Sequence, residues 1–154
     1  MLRTEESGCD AFGIDFSSEA ISIAQKAYPG LRNRFFVENL YNLDTVMSGE
    51  FDGIVANAVL VHLLDRNDMP DILEKICGRL RKNGLCFIRV IKKGNLMEEL
   101  DNHLFGGLRW FVYYSKEELK TLAENAGFNV EEIDERSHVQ HPDVYWVSLL
   151  LRKK

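Results

Sequence analysis

The chain has 154 residues, 45% of them hydrophobic and 28% charged, with a formal net charge of −5 at pH 7. That length suits one domain with a buried core. The acidic balance argues against a nucleic-acid groove, which needs clustered Lys and Arg to neutralise phosphates.

Strand and helix patterns alternate along the chain, as in a parallel sheet covered by helices. Residues 10–15 read as a first strand ending on Asp15. A helix follows, with Ser17 as its cap and Ala20, Ile21, Ala24, Ala27 and Tyr28 at helical spacing, and "PG" at 29–30 stops it. "RFFVE" (34–38) is a second strand, and "FDGIVANAVLVHL" (51–63) contains a third that ends near Asn57. The spacing of Met69, Ile72, Leu73, Ile76 and Leu80 predicts a helix over 68–84, ended by "NG". "LCFIRVI" (85–91) is nearly continuous in apolar residues, which predicts a strand buried on both faces. Residues 92–114 have no clear period and end in the aromatic-rich "RWFVYY". "SKEELKTLAENAG" (115–127) has every mark of a helix: a capping box of Ser115 and Glu118, an apolar face of Leu119, Leu122, Ala123 and Ala126, and Gly127 to close it. "FNVEEIDE" (128–135) and "VYWVSLLLR" (144–152) then read as an antiparallel pair at one sheet edge.

The three cysteines, Cys9, Cys77 and Cys86, show neither metal-ligand spacing nor an even count, which fits reduced thiols in a cytoplasmic protein. "MLRTEESGCD" has the features of neither a signal nor a transit peptide. No apolar run approaches the ~18–20 residues that cross a bilayer, so no membrane partner is expected. His138 and His141 lie three apart on a loop, without a helix to align them on a metal, and no metal site is expected. His62 reads as a half-buried helix or loop histidine.

"AFGIDFSSEAISIAQKA", "FFVENLYNLD", "GEFDGIVANAVLVHL", "LRKNGLCFIRV", "YYSKEELKTLAENAGF" and "YWVSLLLRKK" succeed one another in the order and spacing of the class I S-adenosylmethionine-dependent methyltransferases, which this chain resembles from about Gly8 to its end. The resemblance implies an α/β fold: a Rossmann-like methyltransferase sheet flanked by helices, with a C-terminal antiparallel strand pair. It implies S-adenosylmethionine as cofactor and a small-molecule acceptor. It also assigns residues. Asp15, with Phe16 beside it, would accept hydrogen bonds from the ribose hydroxyls. Asn39 would meet the adenine amino group and Leu40 would offer its backbone N–H to the ring. Asn57 would line the methionine part, and Trp110 and Tyr114 would form a substrate wall. Each position has an ordinary alternative: an acid at a helix start, a turn-forming Asn, core aromatics.

One part of the family pattern is missing. No GxG occurs in the chain, and residues 2–8 look like the tail of the helix that should follow the glycine-rich loop. The expectation is one methyltransferase-like domain, 1–154, N-terminally incomplete and lacking its central first strand. The strands ending at Asp15 and Asn57 would then close up directly, or a homodimer partner or second chain would complete the sheet, or the natural protein would begin further upstream. Two other readings compete: a non-catalytic methyltransferase-like module acting as a structural or partner-binding subunit, and a nucleotide-binding oxidoreductase, which the C-terminal strand pair fits poorly.

Overall fold

The computed structural model describes residues 8–46, 49–101 and 107–154. The chain falls into two compact units, Met1–Ser48 and Gly49–Lys154. The helix tail expected over residues 2–8 lies, except for Gly8, outside the described residues.

In the first unit, β1 (Gly13–Asp15) runs parallel to β2 (Phe35–Val37), with Gly13 opposite Phe35 and Asp15 opposite Val37. β1 is shorter than the expected 10–15 because β2 offers only three residues to pair with. Between them lies α1 (Ser18–Ala27). Its cap is Ser17, whose Oγ accepts the Ala20 N–H at 3.1 Å, and Ile21 is its buried residue. Pro29 cannot continue the α-helix and opens a 3-10 stretch, Pro29–Arg34, that leads into β2. A 3-10 turn (Leu40–Asn42) and a short helix α2 (Leu43–Val46) follow β2. No strand precedes β1 among the described residues.

The second unit holds a mixed sheet of four strands in the order β3 (Phe51–Asn57), β4 (Leu80–Lys93), β8 (Val144–Lys153), β7 (Phe128–Ser137). β3 and β4 are parallel. β8 is antiparallel to both β4 and β7, so the C-terminal antiparallel pair is present, with β7 on the edge. α3 (Met69–Gly78) packs against α4 (Lys116–Asn125), and α4 packs on β7 and β8. A separate two-stranded ribbon pairs β5 (Glu98–Asp101) with β6 (Arg109–Val112).

Two expectations need correction. The helix over 68–84 ends at Gly78, and Leu80 is the first residue of β4, opposite Phe51. Leu80 is buried as its apolar stripe requires, but through strand pairing. Pairing breaks while the exposed residues 81–83 bulge outward, with Asn83 at φ 63°, and resumes with Gly53 opposite Leu85. Nor is β4 buried on both faces. Cys86, Ile88 and Val90 lie opposite Leu151, Leu149 and Val147, and all six are fully buried. On the other face Phe87 and Arg89 are half-exposed, and Arg89 donates from Nε to Ser148 Oγ at 3.0 Å. An arginine with its own polar partner breaks what looked like a uniform apolar run.

Candidate functional site

Parallel strands bring their carboxyl ends to one side, and loops gather there. In the first unit those ends are Asp15 and the segment after Val37, joined by the Glu38 N–H donating to the Asp15 carbonyl at 2.9 Å. The Asp15 side chain is exposed. Its Oδ1 accepts the Ser17 N–H at 2.8 Å, a local turn that fixes the carboxylate. Its other oxygen has no hydrogen-bond partner among the described residues. Phe16, beside it, is 79% exposed.

The second loop is held by Glu38. Its Oε1 accepts from Asn42 Nδ2 at 3.0 Å and from the Asn39 N–H at 2.8 Å. Those two bonds, the side-chain one first, hold its carboxyl below the usual value. Asn39 does not simply aim outward: its Oδ1 caps the turn by accepting the Tyr41 N–H at 3.0 Å, the turn role open to it from sequence. The Leu40 N–H has no acceptor among the described residues, so it is available to a ligand.

In the second unit, β3 ends on an exposed Asn57 whose side chain has no partner among the described residues. Ala58 follows at φ 57° and donates its N–H to the Arg89 carbonyl at 2.9 Å. A left-handed non-glycine residue costs roughly 1 kcal/mol, so the chain leaves the strand end at a sharp angle against resistance.

Beyond that turn lies a cleft of about 440 Å³, lined by Leu64, Asp65, Arg66, Asn67, Met97, Glu98 and Trp110. Three links tie its two walls. His62 Nδ1 donates to the Trp110 carbonyl at 3.2 Å. Arg66 Nη2 donates to the Tyr113 carbonyl at 3.2 Å. Tyr114 OH donates to the Arg66 carbonyl at 3.0 Å. Trp110 is 40% exposed and faces the cleft, whereas Tyr114 is 1% exposed. Tyr114 therefore braces the loop from behind, with the Arg66 guanidinium 4.9 Å over its ring, and forms no part of the cleft surface. His62 is likewise a brace. Among the described residues, no group of three or more His, Cys, Asp or Glu could hold a metal ion, and no helix is long and apolar enough to cross a membrane.

A family model described as "Methyltransferase domain" matches residues 1–133. The chain belongs to this methyltransferase family. Its fold is that of the class I S-adenosylmethionine-dependent methyltransferases. By shape this methyltransferase chain is similar to an S-adenosylmethionine-dependent methyltransferase from Methanosarcina mazei, at 20% identity and TM-score 0.71, over 92% of this chain and 81% of that one. It is similar to another from Clostridium acetobutylicum at 12% identity and TM-score 0.72, over 94% and 75%. A third likeness is to 1,6-didemethyltoxoflavin-N1-methyltransferase of Burkholderia thailandensis, which holds 1,6-didemethyltoxoflavin and S-adenosylhomocysteine, at 23% identity and TM-score 0.72, over 97% and 64%. At such identities these likenesses concern the fold. No curated protein matches the sequence significantly.

Asp65, Arg66, Met97 and Glu98 escaped the sequence reading. They come from segments more than thirty residues apart, a 3-10 turn and the start of the short strand β5, too short for a period to mark them. "Ala-Asn-Ala" at the end of β3 was the one local sign that a turn and a loop begin there.

Proposed function

We propose that this methyltransferase chain binds S-adenosylmethionine through the corner after β1 and acts on a small molecule. Methyl transfer itself follows from the family. The family match extends across both compact units, which supports reading residues 1–154 as one methyltransferase-like domain.

The observation that carries the cofactor reading is the state of Asp15. One carboxylate oxygen is anchored on the Ser17 N–H and the other has no hydrogen-bond partner among the described residues, so an acceptor of fixed direction faces outward. Two ribose hydroxyls are the ligand such a charged, oriented acceptor suits, and charge assistance makes these bonds strong. The Leu40 N–H, without an acceptor among the described residues, suits an adenine ring nitrogen, and exposed Phe16 offers apolar cover. Asn39, its oxygen already shared with the Tyr41 N–H, is left the weaker part of contacting the adenine amino group. When bound, S-adenosylmethionine supplies a methyl group on a positively charged sulfur. The task left to the chain is holding and orienting, which is where most of the rate in such a displacement arises.

Calorimetric titration of S-adenosylmethionine into the whole chain tests this. Saturable binding is expected, weakened about tenfold or more by Asp15→Ala. Asp15→Asn keeps an acceptor for Ser17 and should lose less. No heat at millimolar cofactor from a chain with a cooperative melt would overturn the reading.

A further inference from the structure

The cleft lined by residues 64–67, 97–98 and 110 has an unusual balance of charge. The one cation in its lining, Arg66, is already ion-paired: Nη2 lies 2.7 and 2.8 Å from the two oxygens of Glu118. Arg66 Nε is unpaired but fully enclosed, so it offers a ligand nothing. The nearby Lys93 is also taken, by Glu99 at 2.5 Å and Asp101 at 2.7 Å.

The cleft's two carboxylates are not so matched. Asp65 Oδ1 accepts the Asn67 N–H at 2.8 Å, and neither Asp65 nor Glu98 forms an ion pair among the described residues. Trp110 stands opposite Leu100, and Glu98 opposite Val112. Glu98 and Trp110 are therefore diagonal neighbours on one face of the β5–β6 ribbon, within reach of a common ligand. Two exposed carboxylates beside an open indole attract an organic cation and repel an anion. The indole face adds cation–π attraction and stacking area.

We propose that this cleft binds a small arylalkyl amine in its ammonium form. The proposal does not rest on the methyl-transfer reading. The carboxylates select the ammonium and the indole takes the ring. A carboxylate ligand would meet like charge at both Asp65 and Glu98.

Benzylamine, benzyl alcohol and benzoate share one ring and differ in charge, so they serve as probes for calorimetric titration into the whole chain at pH 7.5. Benzylamine is expected to bind saturably and about tenfold or more tighter than benzyl alcohol, with no saturation by benzoate. Glu98→Gln combined with Asp65→Asn should weaken benzylamine about tenfold and leave benzyl alcohol unchanged. The asparagine keeps the oxygen that accepts the Asn67 N–H, and thermal melts of both proteins should coincide. Trp110→Leu should weaken both ligands. Benzoate binding as tightly as benzylamine, benzylamine that fails to saturate, or an unchanged double variant would each overturn the proposal. A parallel titration with S-adenosylmethionine keeps the two readings apart: a chain that fails to bind benzylamine has no cation site, whether or not it binds the cofactor.

Discussion

Arg66 and Glu118, fifty-two positions apart in sequence, meet through one guanidinium nitrogen, Nη2, which lies 2.7 Å from one Glu118 oxygen and 2.8 Å from the other. Glu118 was expected to complete a capping box with Ser115. Half of it forms, as Ser115 Oγ accepts the Glu118 N–H at 3.2 Å, but the carboxylate turns to Arg66. The Arg66 side chain is only 14% exposed, so the loop bearing the cleft is clamped to the start of α4. Glu118→Ala strands a mostly buried charge and is expected to cost about 2 kcal/mol. Urea unfolding reads this as a lower midpoint at unchanged slope, and a shift below ~0.5 kcal/mol would mean an idle surface contact.

High pH should weaken the chain through Tyr113 and Lys93. Tyr113 is fully buried and donates to Glu99 Oε1. Burial first, then that bond and the charges of Glu99, Asp101 and Asp143, push its hydroxyl far above the usual tyrosine range. Burial opposes the Lys93 ammonium, but hydrogen bonds to Asp101 and Glu99 outweigh it and raise its pKa. Both groups hold protons more tightly folded than unfolded. Their contribution is complete below about pH 10, where the unfolded chain starts to release the same protons, and is lost as pH rises through the folded values. The urea midpoint should fall more steeply above about pH 10, and Tyr113→Phe should remove part of that fall. An unchanged slope in the variant would place the alkaline loss elsewhere.

The three thiols should separate by reactivity. Cys9 is exposed, whereas Cys77 and Cys86 are buried. Burial and the neighbouring Cys77 push the Cys86 thiol up to about 12, and burial also raises Cys77 against the pull of Lys153 and Lys154. An aromatic disulfide reagent at pH 8 should titrate one thiol at once and two only after denaturant is added. Fast reaction of Cys86 would mean that the contact between β4 and β8 opens readily.

Gly127 ends α4 at φ 98°, and a Cβ placed there would lie 3.3 Å from Cys77 Sγ. Gly127→Ala therefore combines backbone strain with a steric contact to α3, and an expected loss of roughly 1–3 kcal/mol. In a Cys77→Ala background the contact disappears and only the strain remains, so the two substitutions together should cost less than their sum. Strict additivity would show that the sulfur gives way freely.

What the sequence by itself determined was local. Ser17 and Ser115 cap helices because their hydroxyls reach backbone N–H groups three residues on. Gly127 closes α4 because a left-handed residue is needed there, and Asp15 ends β1 where a strand meets a helix. The ordered succession of such segments identified the methyltransferase fold and the antiparallel pair at its C-terminus. The tertiary structure alone decided whether Leu80 continued a helix or opened a strand, because its apolar side chain suits either and pairing with Phe51 chose. It alone turned Tyr114 inward behind the cleft wall while leaving Trp110 at the surface, although both stand in one aromatic run. It also brought Asp65 and Glu98 to one cleft whose cation, Arg66, is paired with Glu118. A helix or strand leaves a period in the sequence because its contacts are between near neighbours. A site assembled across distant segments is set by packing between elements, and leaves no such repeat to read.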